Sequence, residues 1–219
     1  MKKNTENTDH KINPWNEIPL EDYESHMSDI SVGQLHLLNC LAQKYLGNTR
    51  PESCIFLGVT GGNGLEHIDN NITKNVIGID INQSYLDETK TRYGNKIKSL
   101  QLINCDITKC KEVICKVDFI WAALIMEYTG VERCLEFSTQ NLLPGGHLIL
   151  TIQVNNNVAD VSPTSIESIR KAGEVFTLVN PENLQVQAAK VGFSLFYQEE
   201  NKLPNGKSFK TFHFVKTNS

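Results

Sequence analysis

The chain has 219 residues, 40% hydrophobic and 21% charged, a length and composition that favour a single globular domain whose core needs no disulfides. Its 25 acidic residues outnumber 21 basic ones, so a net charge of −4 offers no concentrated basic face for nucleic acid. No apolar run reaches the roughly 18 residues of a membrane-spanning helix, and no signal peptide opens the sequence, so we expect a cytoplasmic protein without membrane partners.

The first part of the chain predicts short helical elements before any strand. Residues 20–27 predict a short helix, and Ser31 with Gln34 at capping-box spacing predicts a second helix that ends at Gly47. The predicted organisation is a flexible tail at 1–13, an N-terminal helical leader or lid at 14–48, and the main domain at 49–219.

The main domain alternates apolar runs with helical segments. Five buried strands are predicted at 54–57, 75–80, 100–104, 117–123 and 147–152, with helices at 84–94, 131–141 and 180–192. Alternation at this spacing implies right-handed crossovers and a doubly wound parallel sheet with helices on both faces. Two last runs, 193–198 and 208–215, flank an Asn-Gly turn and predict an antiparallel hairpin, which completes a mostly parallel α/β sheet of seven strands.

Three features fall at the predicted carboxyl edge of this sheet. A loop with four glycines follows the first strand from Gly58 to Gly64, where bare backbone and the start of a predicted helix could approach a ligand, although glycines also serve tight turns. Asp80 ends the second strand, where an acid can accept both hydroxyls of a ribose, or else cap a helix. Asp106 follows the third strand and could accept an adenine amine or, again, act as a cap. Together they favour a nucleoside ligand.

With these motifs in this order, residues 51–215 resemble the class I S-adenosylmethionine-dependent methyltransferases. The resemblance implies a Rossmann-like fold, S-adenosylmethionine as cofactor and methyl transfer to an acceptor. It also implies cofactor contacts from Gly58, Thr60, Gly62, Gly64, Asp80, Ile81, Asp106, Ile107 and Ala123. Two positions depart from the family pattern: Phe56 stands where an acid is usual, and Thr60 where a small residue is usual. The stretch 18–34 resembles the leader of a little-characterised bacterial branch.

Methyl transfer depends mainly on alignment of a nucleophile with the methyl group, so few residues need a chemical role. Glu127 and Tyr128 follow the fourth strand, where such enzymes present residues to the substrate; the alternatives are a capping or solvent-facing Glu127 and a packing Tyr128. Tyr23 and His26 share one face of the leader helix and could close over the cofactor, whereas a lone histidine is often structural.

The segment at 155–179 is longer than usual connections and is interpreted as a substrate lid, or else as a surface insertion without a function. Its mixed composition favours a small-molecule acceptor. The six cysteines contain no C-x-x-C pair, so we expect reduced, mostly buried thiols and no metal.

Two other functions compete with methyl transfer. A nicotinamide-dependent oxidoreductase would share the glycine loop and Asp80, but G-x-G-x-x-G cannot be placed on residues 58–64. A catalytically silent S-adenosylmethionine-binding or regulatory protein is the other alternative, and Phe56 is its main support. The acceptor atom and the oligomeric state do not follow from the sequence.

Overall fold

The computed structural model describes residues 13–110, 113–156 and 158–217. All but the last residue of the predicted tail lies outside this range. The strands are β1 Ser53–Leu57, β2 Asn75–Asp80, β3 Leu100–Asn104, β4 Val117–Ala123, β5 Leu142–Val154, β6 Phe193–Lys202 and β7 Ser208–Lys216. The helices are α1 Leu20–Ser28, α2 Gln34–Thr49, α3 Gln83–Tyr93, α4 Met126–Thr129, α5 Val131–Asn141 and α6 Pro181–Lys190.

The strands form one sheet in the order β3-β2-β1-β4-β5-β7-β6. Neighbours from β3 to β5 pair in parallel, whereas β7 is antiparallel to both β5 and β6. The predicted Rossmann-like, mostly parallel sheet and its terminal antiparallel hairpin are therefore confirmed.

Apolar side chains cover both faces of the sheet. Because successive strand residues point to opposite faces, Ile55 and Leu57 join the cluster under α5 and α6, while Cys54 and Phe56 join the cluster under α2. All four of these β1 side chains are at most 1% exposed, as expected for a central parallel strand. The strand ends at the carboxyl edge are therefore supported by packed side chains on both faces of the sheet.

The predicted capping box of α2 is wrong. The N-cap is Gly33, with a positive φ of 65°, while Ser31 turns back and donates its hydroxyl to the Asp29 carboxylate at 2.5 Å. The helix also continues past Gly47 and ends at Thr49, because Arg50 takes the left-handed C-cap conformation that was expected at the glycine and donates its N–H to the Leu46 carbonyl. The turn that precedes α2, and not the capping-box spacing of Ser31 and Gln34, therefore determines where the helix begins.

Two further boundaries differ from the sequence interpretation. The glycine loop leads into a single 3-10 turn at Leu65–His67, not into a helix, so it has no helical N-terminus behind it. The helix α3 is capped by Asn82, whose side chain accepts from the Ser84 backbone N–H at 2.9 Å.

The predicted burial of most cysteines is also wrong. Cys54 and Cys134 are buried, Cys40 is exposed, and the other three are half-buried. Within the described ranges, no helix combines the length and apolar character needed to cross a bilayer.

Candidate functional site

A cavity of about 230 Å³ lies at the carboxyl edge of β1 to β4. The leader and the segment around 160–176 cover it. One side, which we name the strand-end wall, gathers predicted cofactor residues: Gly58, Thr60, Asp80, Ile81, Asp106, Ile107 and Ala123. These positions come from four different strands or the loops that follow them, so parallel pairing is what brings them together.

Asp80 is central to this wall. Its carboxylate accepts from the backbone N–H groups of Thr60 and Asn82, each at 2.9 Å, and the residue is 8% exposed. Burial raises the pKa of Asp80, and these N–H groups offset that effect only in part. The carboxylate thus orders the glycine loop and still has lone pairs for a ligand.

Asp106 combines a turn-stabilising role with a place in the same wall. Its carboxylate accepts from the Thr108 hydroxyl at 2.6 Å and from Lys109 at 3.1 Å. Partial burial opposes ionisation, but these two donors outweigh it and hold the pKa of Asp106 below its ordinary value. Asp106 therefore carries a negative charge next to the cavity.

Two non-glycine residues of the cavity have left-handed backbone conformations. Thr60 has φ 48° and Leu124 has φ 54°. Hydrogen bonds hold both: the Thr60 carbonyl accepts from the Thr89 hydroxyl at 2.6 Å, and the Leu124 N–H donates to the Thr151 carbonyl at 2.8 Å. Such strain in a surrounding structure that fixes it is typical of functional sites.

Gly62 and Gly64 do not line the cavity, although the sequence interpretation placed both among the cofactor contacts. A Cβ at Gly62 would lie 2.6 Å from the Tyr93 ring, and one at Gly64 would lie 2.7 Å from the Cβ of Ala42. These glycines allow the loop to pack against α3 and α2. Of the predicted cofactor contacts in the glycine loop, Gly58 and Thr60 line the cavity.

Aromatic rings form a second side, the aromatic wall, made of Trp15, Tyr23, Tyr128 and Phe176. Ring centroids lie 5.8 Å apart for Trp15 and Tyr23, 4.9 Å for Trp15 and Tyr128, and 5.7 Å for Tyr128 and Phe176. Burial and nearby acids raise the pKa of Tyr23 and of Tyr128, so both phenols keep their protons. The predicted Tyr23 and Tyr128 are brought together, while the roles of Trp15 and Phe176 were missed.

Glu127 lies behind the cavity and is not part of its lining. It is 1% exposed, and its Oε1 accepts from the Gln153 N–H at 2.8 Å, so neither the capping nor the solvent-facing alternative is correct. Its Oε2 has no hydrogen-bond partner among the described residues. Burial raises the pKa of Glu127 to about 7. From this position Glu127 supports the backbone of Gln153, which lines the cavity, and its predicted catalytic role stays a prediction.

The predicted His26 lies at a third region, the polar end, together with Gln34, Gln153, Ser162 and Lys207. Its Nδ1 lies 3.0 Å from the Thr164 hydroxyl, and burial, with a smaller effect of Lys207, lowers its pKa. Gln34 donates from Nε2 to Gln153 Oε1 at 3.0 Å. Sequence reasoning found only His26 here, because the other members occur singly in otherwise unremarkable polar stretches.

Comparison with known proteins agrees with the cavity and the sheet. Residues 56–150 match a family model described as a methyltransferase domain. No curated protein sequence matches the chain. This sheet order, with a ligand-sized cavity at its carboxyl edge, is the class I methyltransferase fold. Sequence similarity to a methyltransferase domain thus covers residues 56–150, and the fold extends that likeness to the whole sheet.

The solved structures of similar fold include three methyltransferases. The N-methyltransferase NodS from Bradyrhizobium japonicum WM9, in complex with S-adenosylhomocysteine, is 13% identical, with 94% of this chain and 100% of that chain covered and a TM-score of 0.67. Magnesium protoporphyrin IX methyltransferase from Synechocystis PCC 6803, with the same ligand, is 12% identical over 93% and 96%, with a TM-score of 0.69. Phosphoethanolamine N-methyltransferase 2 from Haemonchus contortus is 15% identical over 91% and 57%, with a TM-score of 0.68.

Proposed function

We propose that this protein transfers the methyl group of S-adenosylmethionine to a small-molecule acceptor. The observation that carries the proposal is the strand-end wall: two carboxylates and a strained glycine loop share one cavity with the aromatic wall. When bound there, S-adenosylmethionine supplies a methyl group on an electrophilic sulfonium. S-adenosylhomocysteine in all three of the structures described above supports this cofactor.

The donor and acceptor groups of the strand-end wall fit the parts of this cofactor. Asp80 carries two carboxylate oxygens toward which a pair of ribose hydroxyls can donate. Asp106 offers an ionised acceptor for an exocyclic amine. The backbone of Gly58 and Thr60 faces the same cavity, and a Cβ at Gly58 would meet Ile125 at 3.1 Å, so a bare backbone is needed there.

The aromatic wall positions the acceptor and excludes water. Tyr23 and Tyr128 keep their protons, so each can donate a hydrogen bond to an acceptor atom or to a cofactor oxygen. His26 is 5% exposed and its lowered pKa favours the neutral ring, which can accept a proton from an acceptor that loses one. Alignment of the acceptor supplies the remainder of the acceleration.

A covered cavity suits a small acceptor better than a polymer. The leader contributes Trp15 and Tyr23 and the segment near 160–176 contributes Phe176, so chain from two sides closes over the site. Among the proteins of similar fold, one is a magnesium protoporphyrin IX methyltransferase and another was solved in complex with phosphomonomethylethanolamine. Both compounds are small molecules, which supports a small acceptor for this cavity.

Calorimetry and turnover together test this proposal. The protein should bind S-adenosylhomocysteine and not NAD, and it should release S-adenosylhomocysteine from S-adenosylmethionine when supplied with a panel of small amines, phenols and carboxylates. Binding of NAD instead would favour the oxidoreductase alternative. Tight S-adenosylhomocysteine binding with no turnover on any acceptor would favour the silent binding protein.

A further inference from the structure

The polar end contains a lysine that the cofactor sites do not require. Lys207 lies in the turn between β6 and β7, lines the cavity and is only 2% exposed. Lysine is among the residues least often buried to this extent, because removing an ammonium from water is costly without a compensating anion. Its place in the cavity therefore needs a physical explanation.

The contacts of Lys207 satisfy its charge incompletely. Its Nζ donates to the Asp160 backbone carbonyl at 2.7 Å, which uses one of three N–H groups. None of the ion pairs among the described residues includes Lys207. The Asp160 carboxylate, whose residue also lines the cavity, favours the charged form at longer range. Asp160 is exposed to water, and its Oδ1 accepts from the Asn155 side chain at 2.6 Å, so it forms no ion pair with Nζ.

Burial lowers the pKa of Lys207 to about 8, the direction expected when an ammonium has lost water and gained too little in return. An anion placed beside Nζ would stabilise the ammonium and raise its pKa again. The lysine is thus prepared for a partner of negative charge.

The turn that carries Lys207 is fixed before any ligand arrives. The Lys207 N–H donates to Asn205 Oδ1 at 3.1 Å, and the Asn205 side chain in turn donates to Ser162 Oγ at 2.9 Å. The Leu203 N–H donates to the Lys207 carbonyl at 2.9 Å. Since Ser162 Oγ accepts from Asn205, its own hydroxyl hydrogen is free to point into the cavity that it lines.

We propose that Lys207, with Ser162, which Asn205 links to the same turn, binds an oxyanion of the methyl acceptor, a carboxylate or a phosphate, and thereby selects anionic small molecules. This inference rests on the proposed function, whose acceptor it specifies. The anion would be held at the polar end, so that the remainder of the acceptor extends along the aromatic wall toward the strand-end wall. Neutral analogues would leave the buried ammonium unpaired and bind more weakly.

Binding of matched probes tests this without knowledge of the natural acceptor. Benzoate and phenyl phosphate carry the two oxyanions on a ring that suits the aromatic wall, and benzamide is the neutral control. On protein saturated with S-adenosylhomocysteine, calorimetry should show at least one of the two anions binding about tenfold or more tighter than benzamide. The stronger of the two anions identifies carboxylate or phosphate as the preferred group. Equal binding of all three probes would overturn the proposal.

Two variants separate charge recognition from a structural role of the lysine. Lys207→Met removes the charge and the donor, whereas Lys207→Gln keeps a donor for the Asp160 carbonyl and removes only the charge. Both should lose the preference for the anion, and Lys44→Met, at an exposed lysine of α2, should keep it. Anion preference that persists in Lys207→Gln would refute the assignment even if Lys207→Met does not fold.

Failure of the proposed function would be visible separately. S-adenosylhomocysteine should bind both Lys207 variants with unchanged affinity, because the strand-end wall is intact. If the wild type binds no S-adenosylhomocysteine, the methyl-transfer proposal fails. The same probes titrated into the protein alone then still decide whether Lys207 binds an oxyanion.

Discussion

Replacing Glu127 by glutamine should change how the stability of the fold depends on pH. The carboxyl is 1% exposed, it accepts one hydrogen bond from the Gln153 N–H, and its second oxygen has no partner in the described part of the chain. Burial raises its pKa from 4.5 to about 7, and this largest effect outweighs the backbone donors that oppose it. The amide of the variant has nearly the same shape but does not titrate.

The sign and size of the effect follow from linkage. Since the pKa of Glu127 is higher in the folded than in the unfolded chain, its stabilising contribution is complete below about pH 4.5 and is lost as the pH rises through about 7. Between about pH 5.5 and about pH 8, this carboxyl should cost the wild type about 2 kcal/mol of unfolding free energy, because one pKa unit corresponds to about 1.4 kcal/mol. The Glu127→Gln variant should lack this loss.

Urea unfolding, followed by tryptophan fluorescence at about pH 5.5 and about pH 8, measures the difference between wild type and variant. The unfolding free energy of the wild type minus that of the variant should be about 2 kcal/mol larger at the lower pH than at the higher pH. Histidines titrate in both proteins, so their effects cancel in the comparison. Glu132→Gln, at an exposed position in the first turn of α5, is the matched control and should follow the wild type. A Glu127→Gln difference that does not vary with pH would refute the assignment of a buried, proton-binding carboxyl.

Three other changes test the walls of the cavity. Asp80→Asn should weaken S-adenosylhomocysteine binding by about 10- to 100-fold in calorimetry, since charge-assisted hydrogen bonds are lost. Asp87→Asn, on the exposed side of α3, should leave the affinity unchanged. Equal affinities of wild type and Asp80→Asn would leave Asp80 only a loop-ordering role. Tyr23→Phe should lower kcat while the melting temperature changes little. Full turnover of this variant would make the leader tyrosine a packing residue. Gly62→Ala should lower the unfolding free energy by about 2 kcal/mol or more, because the φ of Gly62 is 89° and a Cβ would meet the Tyr93 ring. The folded variant should keep its affinity for S-adenosylhomocysteine. A large loss of affinity without destabilisation would return Gly62 to the cofactor site.

The sheet and half of the site could be predicted because their signals are local. The parallel strands are short, largely apolar runs; Asp80 ends the second of them, and Asp106 follows the third by two residues. Parallel strands end at one edge, so the position of a residue in its own run is enough to place it at the cavity. The Asn-Gly turn likewise specified the terminal hairpin from two residues.

The errors arose where distant packing decided local structure. Gly62 and Gly64 have the composition of a ligand loop, but Tyr93 and Ala42, which are remote in sequence, occupy the space that their missing side chains leave. Glu127 comes four residues after the predicted strand at 117–123, a place from which it could face a substrate or solvent. Its neighbour in space is Gln153 at the end of β5, and the two residues bury each other's polar groups.

The polar end could not be predicted because its members come from four separate parts of the chain, and the antiparallel strand explains how Lys207 joins them. Val154 at the end of β5 pairs with Ser208 at the start of β7, which pairs with Lys202 at the end of β6. The turn between β6 and β7 therefore lies at the edge where the parallel strands end. Pro204 in this turn packs against Gly33, where an added Cβ would lie 3.0 Å from the Cδ of Pro204. A lysine after Asn-Gly suggests a solvent-exposed hairpin, but reversal of the last strand directs it into the cavity, where its charge can select the acceptor.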